Sequence, residues 1–265
     1  MLAYPEIDPV AFALGPVTVH WYGLTYLAGL AFAWWLAVRQ TRRPGSVLQR
    51  EQVDDLIFYA ALGIVLGGRL GYALFYGGDR LAEDPTWLLR VWQGGMSFHG
   101  GFLGVIVAMW LFARRHRIAI GPLLDFIAPL APVGLALGRL GNFIGQELWG
   151  RPTDVPWAMV FPRDPLQLAR HPSQLYQFAL EGMLLFAIVY VFSSRPRPTW
   201  ATAGLFAVGY GCLRFIAEFF REPDAHLGFQ ALGWLTRGQL LCLPMIAIGL
   251  YLLFFAYRGS RSAAG

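Results

Sequence analysis

The sequence has no lysine; all 21 of its basic residues are arginine. Charge of either sign is scarce, at 14% of residues, where soluble domains carry about 25%. One soluble core does not explain that composition. The net charge of +5 comes from arginines scattered through loops and apolar segments. It does not form a basic run interleaved with aromatics, which argues against nucleic-acid binding. The two cysteines, Cys212 and Cys242, both lie in apolar segments. They make neither a disulfide framework nor a zinc set. There is no Gly-x-Ser-x-Gly elbow, no His-Glu-x-x-His and no P-loop, so serine-hydrolase, zinc-protease and nucleotide-driven chemistry have no support. No metal site and no cofactor is expected. Met1–Pro9 carries Glu6 and Asp8 but no basic residue, unlike a secretory leader. The first apolar segment is therefore expected to act as the insertion signal and to stay in place.

What is present is apolar: 56% of residues are hydrophobic and 15% aromatic. Several runs reach the roughly 20 residues needed to cross a bilayer. The expected fold is an all-α integral membrane protein, a bundle of seven transmembrane helices over one polytopic domain, 1–265. The spans read as Val17–Val38, Leu56–Tyr76, Met96–Ala113, Pro122–Ile144, Gln174–Phe192, Ala201–Phe220 and Gln239–Tyr257. Arginine is concentrated after spans one, three, five and seven: Arg39, Arg42, Arg43 and Arg50; Arg114, Arg115 and Arg117; Arg195 and Arg197; Arg258 and Arg261. The positive-inside rule then puts the N-terminus outside, in the periplasm, and the C-terminus in the cytoplasm. The longest connection, 145–172, is expected to form a small external cap between spans four and five. Glycines at four-residue spacing, Gly63, Gly67 and Gly71, Gly100 and Gly104, Gly134 and Gly138, mark close helix contacts. Pro129 and Pro132 are expected to break span four.

With that orientation, polar residues of six spans gather at one depth, toward the outer side. They are Tyr22, Arg69, His99, Arg139 with Asn142, then Glu147, Gly150 and Arg151, then His171, Ser173 and Gln174, and finally Arg214, Glu218 and Arg221. Asp125 and Glu181 do not fit this cluster. An arginine inside a span is costly unless paired or solvated, and is a functional candidate by default. Arg139 and Asn142 share a helix face, as do Arg214, Glu218 and Arg221. The guanidinium fork suits phosphate. A plainer alternative makes Arg214 and Glu218 a structural ion pair and lets Arg139 snorkel to the interface. The coincidence of Arg69, Arg139 and Arg214 favours an anionic ligand over it. His99, in Ser97-Phe98-His99-Gly100-Gly101, combines an imidazole near neutral pKa with helix-start N–H groups. It is either a base, a ligand contact or a structural residue. A lipid transporter would need polar groups on both sides of the bilayer, and a passive scaffold would use the same arginines without turnover.

Gly138-Arg-Leu-Gly-Asn-Phe-Ile-Gly-Gln-Glu-Leu-Trp-Gly-Arg151 resembles the signature of bacterial phosphatidylglycerol–prolipoprotein diacylglyceryl transferases. The resemblance extends to His20–Leu24, Gly67–Gly71, Gly94–Gly101, Arg170–Tyr176 and Arg214–Asp224. One departure is that Gly145-Gln146 stands where many members have Asn-Gly. The resemblance implies a bacterial inner-membrane enzyme that moves diacylglycerol from phosphatidylglycerol to the lipobox cysteine of a prolipoprotein signal peptide, releasing glycerol phosphate. By matching motif it implies His99, Arg139 and Arg214 as catalytic. Tyr22, Asn142, Glu147, Gly150, Glu218 and Arg221 follow as substrate-binding, with Arg69 added by its depth. A different phosphatidylglycerol transferase with a non-peptide acceptor is the nearest rival.

Overall fold

The computed structural model describes residues 2–5, 7–15, 17–223 and 229–262. In chain order it runs through β1 (Leu2–Ala3), β2 (Val10–Leu14), β3 (Val17–His20), α1 (Trp21–Thr41), α2 (Arg50–Tyr76), α3 (Gly78–Glu83), α4 (Phe98–His116), α5 (Ile120–Ile127) and α6 (Ala131–Ile144). Then come β4 (Met159–Val160), β5 (Ala169–Arg170), α7 (Ser173–Gln177), a π-helical stretch Phe178–Leu184, α8 (Leu185–Ser193), α9 (Ala201–Ala217), β6 (Phe229–Ala231), β7 (Leu235–Thr236) and α10 (Arg237–Ser262). Among the described residues, four helical stretches are long and apolar enough to cross a membrane: Trp21–Thr41, Arg50–Tyr76, Ser173–Ser193 and Arg237–Gly259. The pair α5 and α6, bent by 46°, makes a fifth if it is one span. The break falls at Ala128–Leu130, at Pro129 and just before Pro132, as the prolines predict. The apolar helix α9 has 17 residues, short of the roughly 20 of a full crossing.

The all-helical expectation needs correction at its margins, where three small sheets form. Val17–His20 does not begin the first helix. It pairs antiparallel with Val10–Leu14, Leu14 facing Val17 and Val10 facing His20. Gly15 at φ 60° turns the hairpin, and the β-branched Thr18-Val19 favours the extended form. The sixth segment also stops early, with Glu218–Phe220 in a turn after α9.

The chain divides into two compact units. In Ala37–Leu123, α2 and α4 meet along glycine. A Cβ at Gly63 would stand 2.7 Å from the Gly104 carbonyl oxygen, and one at Gly71 2.7 Å from the Gly100 Cα. Such backbone contact replaces the hydrophobic drive that helices lack in lipid. Ser97 caps α4, accepting from the Gly100 N–H at 3.2 Å. Gly94 and Gly95, both at positive φ, shape the preceding loop.

The other unit comprises Met1–Leu36 and Leu124–Gly265. Here β1 pairs parallel with β4, which pairs antiparallel with β5. Tyr4, Phe143, Met159 and Phe161 pack together under Trp149 and Leu175. The Tyr4 hydroxyl donates to the Phe143 carbonyl at 2.8 Å. Loop 145–172 is thus folded on a small core that it shares with Tyr4, the end of α6 and Leu175. Its centre is the buried pair Arg170–Asp164, joined by Nε–Oδ2 at 2.6 Å and Nη2–Oδ1 at 3.2 Å. Asp164 also accepts from the Leu166 and Leu168 N–H groups. Asp125 caps α9 from another helix, accepting from Trp200 N–H at 2.6 Å and Ala203 N–H at 2.8 Å.

Two outcomes follow from this packing. Gly67→Ala places a Cβ 2.7 Å from the Gly104 Cα, which forces α2 and α4 apart at about 1–3 kcal/mol. A lower melting temperature in detergent is expected, and a parental one contradicts the close contact. The second concerns acid. The Arg170 hydrogen bond holds the Asp164 carboxyl below the ordinary aspartate value of 3.8. A depressed folded-state pKa contributes stability that is present above the ordinary value and is lost as pH falls through the folded one. The loop should stay protected from proteolysis down to about pH 4 and open below it. Asp164→Asn should open it already at neutral pH.

Candidate functional site

Helix α6 carries the first functional side chains. Its glycines let α1 lie close. A Cβ at Gly141 would meet the Thr25 Oγ1 at 2.7 Å and the Tyr22 ring at 3.1 Å, and Gly138 lies against the Tyr26 phenol. Tyr22 donates to Tyr26 across 3.1 Å. Its phenol lies within electrostatic reach of Arg139 and Glu147. Asn142 is buried one turn beyond Arg139.

Helix α9 and the turn that follows it supply the second set. Arg214 Nη2 stands 2.6 Å from Glu218 Oε2, and Arg221 Nη1 stands 3.9 Å from the same oxygen. The i, i+4 and i+3 spacings create these contacts. Glu218 Oε1 accepts from the Thr236 hydroxyl at 3.0 Å. Thr236 and Gln239 form a reciprocal capping box at the head of α10, Gln239 N–H to Thr236 Oγ1 at 3.2 Å and Thr236 N–H to Gln239 Oε1 at 3.1 Å. A Cβ at Gly238 would come within 2.6 Å of Glu218 Oε1, so a side chain there would push the carboxylate from its place.

The two sets meet on Glu181, which is 0% exposed. Its Oε1 is 3.2 Å from Arg214 Nη1, and its Oε2 is 3.6 Å from Arg139 Nη2. This corrects the placement of Glu181 outside the cluster, while Asp125 does lie apart as a helix cap. Among the described residues the result is a cluster of three guanidiniums and two carboxylates. Arg214 is gripped by both acids. Arg139 is 18% exposed at its side chain, and its one ion-pair partner among the described residues is the longer contact to Glu181. Arg139 therefore keeps guanidinium edges available for an incoming anion.

Gly150 joins the loop to the helices. Its N–H donates to the His171 carbonyl at 2.9 Å, and it bridges to Arg221. A Cβ there would be 2.6 Å from the His171 Cβ. Arg151 donates through Nε to the Arg221 carbonyl at 2.9 Å. Glu147 is exposed, and its carbonyl accepts from Gln174 Nε2 at 2.7 Å. Gln146, at the departure from the usual motif, adopts φ 55° and accepts the Arg163 N–H on its Oε1 at 2.9 Å.

Arg69 and His99 belong to the Ala37–Leu123 unit. The Arg69 guanidinium is directed onto backbone carbonyls: Trp87 at 2.6 Å, Leu88 at 3.1 Å, Gly95 and Arg90 at 3.2 Å, and Gly94. It also lies 4.2 Å from the Trp87 ring centroid. That geometry organises the 87–95 loop and leaves few donors for a ligand. His99 is exposed in the first turn of α4, beside Phe98. Asp224, the end of the last motif, lies outside the described residues.

The family model for prolipoprotein diacylglyceryl transferase matches residues 9–255. The chain belongs to the prolipoprotein diacylglyceryl transferase family. Relatives named phosphatidylglycerol–prolipoprotein diacylglyceryl transferase include one from Azotobacter vinelandii, 61% identical over 97% of both chains. Another, from Ectopseudomonas mendocina, is 59% identical over 97% of both. A third, from Pseudomonas fluorescens, is 57% identical over 97% of this chain and 96% of the relative. Arg139, Asn142, Glu147 and Gly150, within one motif, and Arg214, Glu218 and Arg221, within another, all lie inside the matched region.

The unequal pairing of the two central arginines yields a prediction. Arg214→Ala leaves Glu181 and Glu218 buried without their main partner, a change that costs about 3–5 kcal/mol. Arg139→Ala removes only the longer contact to Glu181, so its stability loss should be much smaller. Melting curves of the two variants in detergent decide it; equal losses contradict the asymmetry.

Proposed function

We propose that this protein transfers the diacylglyceryl group of phosphatidylglycerol to the lipobox cysteine thiol of prolipoproteins. A C–S bond forms at the diacylglyceryl carbon, the C–O bond to phosphate breaks, and glycerol phosphate leaves with the electron pair. The observation that carries this reading is the Arg139–Glu181–Arg214–Glu218–Arg221 cluster, in which Arg139 is partly exposed and only loosely paired beside the tighter Arg214 ion pairs. Its open guanidinium edge suits the anionic oxygens of a phosphodiester. As the ester bond breaks, charge grows on the departing phosphate, and fixed guanidiniums stabilise that state more than the ground state. Arg139 takes the phosphate on its available edge, and Arg214 supplies a fixed field.

The nucleophile must be a thiolate, and the thiol proton passes to the His99 imidazole. Tyr22 and Asn142 orient Arg139 and the headgroup, Glu147 lies at the approach, and Glu218 holds Arg214 and Arg221. Gly150 keeps the 145–172 loop tight against Arg221. Arg69 acts through the loop it holds. The reaction needs no metal or soluble cofactor.

The arginine bias of the connections supports seven spans with a periplasmic N-terminus and a cytoplasmic C-terminus in a bacterial inner membrane. In that orientation the cluster serves the outer leaflet, and 145–172 is its external cap.

The test combines purified protein, phosphatidylglycerol in detergent micelles and a synthetic lipobox peptide. The peptide should gain the mass of one diacylglyceryl group, with glycerol phosphate released in equal amount. No mass gain with the folded protein sinks the reading. Arg139→Ala should lower the rate at least about a hundredfold. His99→Gln should lower it about a hundredfold or more and flatten the acid limb of the pH profile; a parental profile assigns the proton to another group.

A further inference from the structure

We propose that Glu181 is a positioning residue for the transfer: one buried carboxylate that fixes the spacing of Arg139 and Arg214 and keeps the site from over-binding its anions. This rests on the reaction proposed above. The backbone first shows why Glu181 is there. The helix widens to π geometry over Phe178–Leu184, a form rare outside functional sites. Within it, Gly182 seats directly on α6, where an added Cβ would come within 2.9 Å of the Ala136 Cα. Ala136 and Arg139 lie one turn apart on one face of α6. Seating Gly182 on Ala136 therefore brings Glu181 opposite Arg139.

The side-chain geometry shows what the carboxylate does. Each oxygen takes one guanidinium from a different helix, Oε1 to Arg214 at 3.2 Å and Oε2 to Arg139 at 3.6 Å. Oε2 is buried and makes no hydrogen bond, so Arg139 is held by charge and remains free to rotate its donors toward a phosphate. A buried carboxylate with no exposure cannot itself leave to make room. It fixes the inner edges of both arginines and leaves their outer edges to the ligand.

The charge balance gives the second effect. Glu181 takes one unit of positive charge off the cluster. The glycerol phosphate product is a monoester and carries close to two negative charges near neutral pH, against one for the phosphodiester. Without Glu181 the site would carry one more positive charge and would hold that product more tightly. Glu181 thus tunes the cluster to the lipid and against the product.

The experiment uses the full-length enzyme and the peptide mass assay. Glu181→Gln keeps the shape and removes the charge. The expected result is a kcat at least tenfold below the parent, a KM for phosphatidylglycerol that does not rise, and inhibition by added glycerol phosphate at about tenfold lower concentration. Glu181→Asp, which keeps the charge and draws it back by one methylene, should recover part of kcat and the parental sensitivity to glycerol phosphate. A purely structural role would lower active protein without moving KM or the inhibition constant. Parental kcat in Glu181→Gln, or a KM that rises as kcat falls, overturns the proposal. If Glu181→Gln does not fold, Glu181→Asp decides, with kcat taken per mole of folded enzyme: a parental kcat overturns the proposal, and a lower kcat upholds it, because loss of active protein alone leaves kcat per folded enzyme unchanged. A parent enzyme that adds no diacylglyceryl group defeats the transfer reaction itself, which is a separate outcome.

Discussion

Guanidinium groups placed in apolar helices must find negative charge, and this requirement organises the larger unit of the protein. An arginine at mid-span is expensive by several kcal/mol unless it is paired. Three arginines here draw in two carboxylates, one from a widened helical turn and one from a helix end. The glycines at 182 and 238 are the steric side of the same requirement. Gly182 seats the Glu181 turn on α6 and Gly238 lies against the Glu218 carboxylate, while Gly138 and Gly141 lie against side chains of α1. Arg139 is less tightly held than Arg214, and its open edge is what an anionic lipid headgroup can use.

Much of this was legible in the sequence. The glycine spacing of α2 and α4 announced their backbone contact, and Pro129 and Pro132 announced the broken helix. The i, i+3 and i, i+4 arrangements of Arg139 with Asn142 and of Arg214 with Glu218 and Arg221 placed those residues on common faces. Glu181 was assigned elsewhere because depth along a span was counted with a regular α-helical rise and repeat. A π stretch changes which way a side chain faces, and nothing in Phe178–Leu184 marks it except a buried acid next to a glycine. Arg69 shows a different limit: sequence reveals that an arginine is buried but not whether its donors meet a ligand or carbonyls. The Thr236-x-x-Gln239 capping box was visible in principle, but its role depends on Glu218, distant in sequence.

The 145–172 segment illustrates how a connection gains its own order. It has the Arg170–Asp164 pair at its centre, aromatic rings packed around it, and the chain's first strand added to its sheet. Gln146 sits at φ 55°, a conformation in which glycine is comfortable and other residues are strained. The hydrogen bond from Arg163 N–H to its side chain offsets that strain. The departure from the usual motif therefore exchanges backbone ease for a side-chain tie.

The last helix contributes to the site through Thr236, at its very beginning, and that fact has a consequence for biogenesis. A ribosome that has released residues up to 223 has already delivered Arg139, Glu181, Arg214 and Glu218 to the membrane, yet Glu218 still lacks its hydroxyl donor and the glycine-tight helix start beside it. Only insertion of the C-terminal helix completes that corner. A chain interrupted before α10 would thus carry the charged residues without that brace, and assembly of the working centre waits on that helix.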